Sequence, residues 1–410
     1  MIRTFVFLLF TVVVSFANVK FKELGPALPE EGLRTDTLIK YWGYSAEKHY
    51  VTTEDGYIIE IHRIPRGKDK KTSNHGQKPV VLCMHGLLES SASYVFNLPS
   101  QSPAYVFADH GFDVWLGNVR GNTYGRNHTI LSTKDEKFWK FSWPDHAHKD
   151  LPAILDKIYD VTGQKRVYYV GHSQGNLILF AQLAENPEFS NRIIRHFALA
   201  PVYTVKHIKG LLWFLAKVVY PNQQKAEEVL GNHEFMGNHL IIKAFARMIC
   251  DSYKGQHEIC NNIIALIDGP NSNQLNVSRL SVYTSHSPAG TSTQNLLHWL
   301  QNVYTGIMEK YDYRNDKLNV KAYGHITPPK YDISKIRGLK LHIYSSEEDW
   351  LADPDDMLNL MYSMPEGVVQ TEKIFPDWSH LDFLWGTNVT EYITLPIIQT
   401  IQKYDGIRLR

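Results

Sequence analysis

The sequence predicts an α/β fold with a mostly parallel central sheet that a helical insertion interrupts. In the first half of the chain, near-continuous apolar runs alternate with helical segments, and such runs are typical of parallel strands buried on both faces. The alternation implies helices on both faces of the sheet. It stops after Pro201, and sheet-like runs resume near Leu339, which indicates one α/β domain with an inserted helical segment.

The strands of this sheet are predicted from the apolar runs, each of which follows a turn or a polar loop such as Asp55-Gly56. The runs predicted to be strands are 57–64, 79–84, 112–116, 167–170, 197–200, 339–344 and 371–375. The predicted sheet domain therefore occupies residues 18–201 and 331–410. The helical segment between them, 202–330, is predicted to form a cap and lid over one edge of the sheet.

Residues 1–17 are predicted to be a secretory signal peptide. Arg3 supplies the positive charge, an apolar stretch follows, and Ser15 and Ala17 are small residues suited to cleavage. The stretch is too short to span a bilayer, with an uncleaved anchor as the alternative. No later stretch approaches the length of a transmembrane helix, so we expect a soluble mature protein in a lumenal or extracellular space. Three glycosylation sequons agree with that route: Asn127, Asn276 and Asn388.

Composition argues against several other classes of protein. The 410 residues include 43 basic and 42 acidic side chains and no basic stripe with interleaved aromatics, so nucleic acid is not expected as a partner. Of the three cysteines, Cys250 and Cys260 would close a short polar loop as a disulfide, whereas Cys83 lies in an apolar run as a buried thiol. No Cys/His cluster has zinc spacing, so no metal site is predicted.

Residues 171–175, Gly-His-Ser-Gln-Gly, stand between the predicted strand 167–170 and a helical run in which Leu177 and Phe180 share one face. The pentapeptide alone is common by chance, but a strand-turn-helix context predicts a nucleophile elbow. In such a turn the Oγ atom of Ser173 projects at the carboxyl end of the sheet, where a base can reach it. The alternative is a structural glycine-rich turn.

A nucleophilic serine needs a base, and His380 is the predicted one. It lies five residues beyond Phe375, in the loop that follows the last predicted strand. His342 lies within a predicted strand and His325 precedes the final part of the sheet, so both are poorer candidates. A surface or packing role is the alternative for His380.

The carboxylate that orients the histidine is harder to choose, because six acidic residues crowd one loop between 347 and 356. Asp353 precedes Pro354 and two further acids, which is the pattern of a helix N-cap. Asp349 lies just past a predicted strand and before Trp350-Leu351, which could bury it against the histidine. We therefore predict Asp349 as the orienting acid.

An oxyanion hole requires two backbone N–H groups beside the nucleophile. Gln174, the residue after Ser173, is predicted to supply one of them. The second is predicted to come from Leu87, because His85-Gly86-Leu87-Leu88 follows the buried run 79–84 and Gly86 allows a close backbone approach.

With these residues in view, the chain resembles the acid lipase family, the gastric and lysosomal acid lipase type of α/β-hydrolase. The likeness runs from about Leu38 to near the C-terminus. Its markers are Gly43-Tyr44, Val51-Thr52-Thr53-Glu54-Asp55-Gly56-Tyr57, His85-Gly86-Leu87-Leu88, Gly117-Asn118-Val119-Arg120-Gly121-Asn122, Gly171-His172-Ser173-Gln174-Gly175, His286-Ser287-Pro288-Ala289-Gly290-Thr291-Ser292, Asp349-Trp350-Leu351-Ala352-Asp353 and His380-Leu381-Asp382-Phe383.

The resemblance implies an α/β-hydrolase fold with a helical cap and a mobile lid. It also implies the choice of Asp349 over Asp353 as triad acid and a disulfide matching Cys250 and Cys260. The implied activity is hydrolysis of triacylglycerols or cholesteryl esters at an oil–water interface or membrane surface, through an acyl-enzyme and with no metal or organic cofactor. The predicted location is the lysosome lumen, with secretion as the alternative.

Two other functions stay open at this point. One is an esterase or amidase that uses the same residues on small or fatty-acyl substrates. The other is a catalytically decayed lumenal lipid-binding protein, which would have no need of all three of Ser173, Asp349 and His380. Oligomeric state is not predicted from the sequence.

Overall fold

The computed structural model describes residues 28–68, 77–237, 268–270 and 272–407. Its strands are β1 (Glu47–Thr52), β2 (Tyr57–Ile64), β3 (Val80–Met84), β4 (Asp113–Leu116), β5 (Asn127–His128), β6 (Val167–His172), β7 (Ile193–Leu199), β8 (Glu234–Phe235), β9 (Thr291–Ser292), β10 (Leu341–Ser346) and β11 (Val369–Phe375). Among the described residues, nine strands form one sheet in the order β1-β2-β4-β3-β6-β7-β10-β11, with β5 paired to β2.

The sheet is mostly parallel, which confirms the predicted fold class. From β4 to β11 along this order, neighbouring strands pair in parallel. The antiparallel pairs of this sheet all involve β2, which pairs with β1, β4 and β5. All five residues of β3 and all six of β6 are buried, as the near-continuous apolar runs require. Because β3, β6, β10 and β11 are parallel, the loops after all four lie at the same edge of the sheet.

Strand β7 begins at Ile193, four positions before the predicted start of that strand. The prediction missed this part because Arg195 and His196 are polar. In the structure both are buried, and each finds a polar partner: Arg195 binds Asp405 at 2.7 and 2.8 Å, and His196 Nε2 donates to Asn176 Oδ1 at 2.8 Å. Polar residues can occupy a buried strand when each finds a partner, and the partners are distant in sequence.

Helices cover both faces of the sheet, and a π-helical turn at His146–Asp150 joins α3 to α4. The helices are α1 (Thr35–Tyr41), α2 (Pro103–Asp109), α3 (Trp143–Asp145), α4 (Leu151–Thr162), α5 (Gln174–Glu185), α6 (Gly210–Val219), α7 (Gln223–Leu230), α8 (Leu280–His286), α9 (Thr293–Thr305), α10 (Asp316–Tyr323), α11 (Pro354–Ser363), α12 (Asp382–Trp385) and α13 (Leu395–Asp405). No helix in these ranges is both long and apolar enough to cross a bilayer.

Helices predominate in the described part of the segment 202–330, where the short antiparallel strands β8 and β9 also pair. It contains α6 to α10, and α9 packs against α6. Trp299 of α9 donates a hydrogen bond to Gln174 Oε1 at 2.7 Å, so the segment contacts the start of α5. The predicted apolar patches around 240–245 lie outside the described residues. The division into a core and a cap stays a prediction.

A buried charge cluster joins the sheet to the helix after the π-turn. The guanidinium of Arg120 binds Asp55 at 2.6 and 2.9 Å and Asp150 at 2.8 Å, and it lies over the ring of Tyr57. Burial alone raises the pKa of Asp55, but the hydrogen bonds from Arg120 hold that pKa well below its usual range. This contribution to stability is present above the unfolded-state pKa and is lost only as the pH falls through the depressed value, so it persists in a mildly acidic compartment.

We expect Arg120→Met to lower the free energy of unfolding by about 3–5 kcal/mol, because it leaves the fully buried Asp150 unpaired. The matched control is Arg192→Met, whose partner Asp156 is exposed, and there we expect less than about 1 kcal/mol. Urea unfolding followed by fluorescence measures both. Equal losses in the two variants would contradict this account of the cluster.

Candidate active site

Ser173 occupies a sharp turn between β6 and α5. Its backbone has φ 51° and ψ −118°, a conformation that costs energy for a non-glycine residue and persists only when its surroundings impose it. The glycines on either side allow the turn: a Cβ on Gly171 would collide with the side chain of Asn176. A Cβ on Gly175 would collide with the backbone of Met84 at the end of β3. This is the geometry expected of a nucleophile elbow.

The structure brings Asp349 and His380 together at the same edge of the sheet. Asp349 lies in the loop after β10 and His380 in the loop after β11, and His380 Nδ1 lies 3.0 and 2.9 Å from the two carboxylate oxygens. Both side chains are buried, and Asp349 Oδ1 also accepts the N–H groups of Leu351 and Ala352 at 2.8 Å. The carboxylate is therefore fixed from two sides before it meets the imidazole.

This arrangement settles which nitrogen of His380 is available for proton transfer. Nδ1 donates to Asp349, so in the neutral ring Nε2 carries the lone pair. Nε2 is buried and has no hydrogen-bond partner among the described residues. In unliganded sites the contact between a serine hydroxyl and its base is often loose. The structure thus assembles the orienting acid and the base, while the catalytic role of all three residues stays a prediction.

The loop with the predicted oxyanion donor passes directly beside the serine. A Cβ placed on Gly86 would lie 3.0 Å from the Cβ of Ser173, so Leu87 follows a residue whose backbone lies against the serine. Leu88 has a positive φ of 60°, and its carbonyl accepts the N–H of Ala289 at 2.6 Å. The loop is therefore held in a strained conformation by the segment 202–330.

The second predicted donor, Gln174, is the first residue of α5. Its side-chain Oε1 accepts hydrogen bonds from Trp299 Nε1 at 2.7 Å and from Asn295 Nδ2 at 3.2 Å. Because these partners lie on α9, they fix the start of α5 and with it the N–H that follows Ser173. The roles of Leu87 and Gln174 as oxyanion donors stay predictions.

Two buried carboxyl groups hold the residues on either side of His380. Asp268 accepts the Ser379 hydroxyl at 2.7 Å and the Leu381 N–H at 2.6 Å, and Asp382 accepts the Ser379 N–H at 2.6 Å. Burial raises the pKa of Asp382 to about 6, and burial together with nearby Asp382 raises the pKa of Asp268. The folded state therefore favours the protonated form of Asp382. The stability that this preference contributes is present below pH 3.8 and is lost as the pH rises towards about 6.

The other positions singled out in the sequence are the three sequon asparagines, the three cysteines and the signal segment. Asn127 and Asn388 are exposed and Asn276 is half-buried, so the sequons stay predictions. Cys83 is a buried free thiol, and burial raises its pKa, which makes it unreactive. The predicted disulfide between Cys250 and Cys260 and the predicted signal 1–17 lie outside the described residues.

Comparison with known proteins assigns the family. The chain matches the model of the partial alpha/beta-hydrolase lipase region over residues 35–98 and that of the alpha/beta hydrolase fold over residues 79–387. Among solved structures, the alpha/beta hydrolase GrgF from Penicillium sp. sh18 superimposes with a TM-score of 0.52 at 15% identity, covering 88% of this chain and 99% of that one. That likeness supports the fold alone.

Three relatives are similar along nearly their whole length. Lipase lipl-3 of Caenorhabditis elegans is 43% identical over 97% of this chain and 98% of that protein. Human gastric triacylglycerol lipase is 39% identical over 93% of this chain and 94% of its own. Lysosomal acid lipase/cholesteryl ester hydrolase of Macaca fascicularis is 40% identical over 92% of each chain. This chain therefore belongs to the acid lipase family of α/β-hydrolases, and it is an ester hydrolase of the lipase type.

Proposed function

We propose that this chain is a secretory-pathway serine lipase that releases fatty acids from neutral lipids through an acyl-enzyme. The observation that carries the proposal is the buried hydrogen bond between His380 Nδ1 and Asp349, formed at the sheet edge where Ser173 occupies its strained turn. In the proposed reaction the Oγ of Ser173 attacks the ester carbonyl while His380 Nε2 takes its proton.

The later steps follow from the same groups. The tetrahedral oxyanion is stabilised by the N–H groups of Leu87 and Gln174, each of which contributes on the order of 3 kcal/mol. The imidazolium of His380, stabilised by Asp349, then gives its proton to the departing alcohol. Water then attacks the carbonyl of the acyl-enzyme while His380 Nε2 takes its proton. The bond between that carbon and Ser173 Oγ breaks, Oγ receives the proton from His380, and the fatty acid is released. No metal or organic cofactor takes part in the proposed mechanism.

A neutral-lipid substrate is supported by two independent features. Relatives at 39 and 40% identity are named for triacylglycerol and cholesteryl ester hydrolysis. In this chain, Leu211 and Trp213 of α6 are 38% and 44% exposed on a helix that is almost entirely apolar. Exposed apolar side chains on a helix near the site suit contact with a lipid surface.

An acidic lumen is the proposed place of action, with the lysosome favoured and secretion as the alternative. The predicted signal peptide and sequons support entry into the secretory pathway. The raised pKa of Asp382 supports acid conditions, because the carboxyl groups that hold the His380 loop repel each other less when protonated. The names of the gastric and lysosomal relatives agree with either place.

The test combines covalent labelling with a substrate series. The purified protein is treated with a long-chain alkyl phosphonate, and we expect the adduct on the peptide that contains Ser173. Fatty-acid release is then measured between pH 4 and 8 from emulsified triolein, cholesteryl oleate and a soluble short-chain ester, with Ser173→Ala as the control for contaminating host lipases. Serine-dependent release from either emulsion supports the proposal. Activity on the soluble ester alone would refute the lipid assignment, and labelling elsewhere would refute the assignment of Ser173.

A further inference from the structure

Two buried polar side chains beside the proposed triad have no role in the mechanism above. Glu89 and His172 are 4% and 1% exposed, and Glu89 Oε2 lies 3.1 Å from His172 Nδ1. The same oxygen accepts the N–H of Gly86 at 2.6 Å, and His172 Nε2 donates to the backbone carbonyl of His380 at 3.0 Å. One chain of hydrogen bonds thus runs from Gly86 through Glu89 and His172 to His380.

This chain connects three loops that the proposed reaction must keep in register. Gly86 precedes the oxyanion residue Leu87, His172 immediately precedes Ser173, and the carbonyl belongs to the base, His380. The rings of His172 and His380 lie with centroids 4.9 Å apart. A displacement in any one of the three loops is therefore resisted by the other two.

The hydrogen-bond partners determine the charge of the pair. A carbonyl oxygen only accepts, so His172 Nε2 must carry a proton. Glu89 Oε2 already accepts from Gly86, and when Glu89 is ionised Nδ1 must also donate to it. Both ring nitrogens of His172 are then protonated, which makes the pair an imidazolium and a carboxylate.

The electrostatic surroundings favour this charged form. Burial alone lowers the pKa of His172, but Glu89 and the His380 carbonyl raise it above its usual value, with Asp349 adding to the effect. Burial raises the pKa of Glu89, but His172 and the Gly86 N–H together bring it down to about 2. Two other titratable groups interact with Glu89: His85, whose own pKa is lowered by burial, and Tyr94, whose pKa burial raises.

Stability alone gives a poor reason for such a pair. A buried ion pair is often no better than two well-packed apolar side chains of similar volume. Here the cost of removing the charged groups from water is greater, because Glu89 Oε1 is buried with no hydrogen-bond partner among the described residues. The pair is better explained by the geometry it imposes than by the free energy of folding that it adds.

We propose that Glu89 and His172 form a buried ion pair that positions His380 and the Gly86 loop around Ser173. The inference rests on the proposed catalytic role of Ser173 and His380. Glu89 touches neither substrate nor the reacting atoms, so it is a positioning residue. Loss of the pair leaves the binding of substrate unchanged but lets the base and the oxyanion donor drift from their reactive positions.

The charge state of His172 is tested first, in the resting protein. The purified secreted protein, labelled with ¹⁵N-histidine, is compared with Glu89→Gln by NMR at pH 7. We expect both ring nitrogens of His172 to be protonated in the wild type and one of them to lose its proton in the variant. A neutral His172 in the wild type would overturn the inference, whatever the variants do.

The kinetic test uses the soluble ester and counts active sites by phosphonate titration. We expect Glu89→Gln to lower kcat by about tenfold to a hundredfold with KM changed less than about twofold, since small misplacement of catalytic groups has effects of this size. The matched control is Glu30→Gln, which breaks the buried pair of Glu30 with Arg279 at 2.6 Å. There we expect wild-type kcat per active site. A wild-type kcat in Glu89→Gln would overturn the inference.

A third variant keeps the test decisive if Glu89→Gln does not fold. The double change Glu89→Leu with His172→Phe removes both charges and leaves no unpaired ion, so we expect it to fold and to show the same fall in kcat. Wild-type kcat in this double variant would overturn the inference. If the wild type itself neither hydrolyses esters nor reacts with phosphonate, the proposed function fails, while the NMR result still reports on the ion pair.

Discussion

Replacing Asp349 by asparagine is expected to lower kcat about 10⁴-fold, which is the size of effect known for this change in a Ser-His-Asp triad. In the structure Asp349 Oδ1 accepts two backbone N–H groups at 2.8 Å while both oxygens lie near His380 Nδ1. An asparagine would keep its oxygen on the backbone donors and turn its NH₂ group towards the ring. Nδ1 would then have to accept, and the proton would move to Nε2, where it blocks the base.

The neighbouring acid provides the matched control. Asp353 caps α11 by accepting the Asp355 N–H at 3.0 Å, and its other oxygen lies 2.8 Å from Lys209 Nζ. Asparagine is an equally good N-cap, so Asp353→Asn is expected to keep kcat within about twofold of wild type. Hydrolysis of a soluble short-chain ester, scaled to phosphonate-titrated sites, measures both variants. If kcat fell only in Asp353→Asn, Asp353 and not Asp349 would be the triad acid.

The contrast between these two aspartates shows how far the sequence could predict the site. The cap role of Asp353 was visible locally, because Pro354 and two acids follow it. The elbow was equally local, since five residues stand between a strand and a helix. Asp349 could be chosen from its place between a strand and Trp350-Leu351, but its contacts could not be predicted, because its backbone donors and His380, 31 positions away, meet its carboxylate only in the folded loop.

What the sequence could not predict depends on partners far along the chain. Glu89 and His172 are 83 positions apart in the sequence. No local pattern pairs them, and Glu89 is marked only by its place shortly after His85. Asp268 binds Ser379 and Leu381, which lie on either side of His380 and are 111 and 113 positions away from Asp268 in the sequence. The early part of β7 was missed for the same reason, since Arg195 is satisfied by Asp405, 210 positions away. Apolar periodicity reports burial, but it does not report which buried polar groups find each other.

Gly175→Ala is expected to disable the elbow without touching a reacting group. A Cβ at this position would collide with the carbonyl oxygen of Met84 and would lie 2.9 Å from its carbonyl carbon and 3.0 Å from the His85 oxygen. These are backbone atoms at the end of β3, and they cannot rotate away as a side chain would. The start of α5 must therefore shift away from the sheet, and Ser173 must move with it.

We expect this shift to cost about 3 kcal/mol or more of folding free energy, as severe overpacking does, and to slow phosphonate labelling of Ser173 by at least about a hundredfold. Gly32→Ala is the control, because a Cβ there meets nothing within 4 Å. Secreted yield, thermal unfolding and labelling rate are measured on both variants. Wild-type labelling in Gly175→Ala would mean that the elbow tolerates displacement, and the close approach of α5 to β3 would then not be what holds the serine in place.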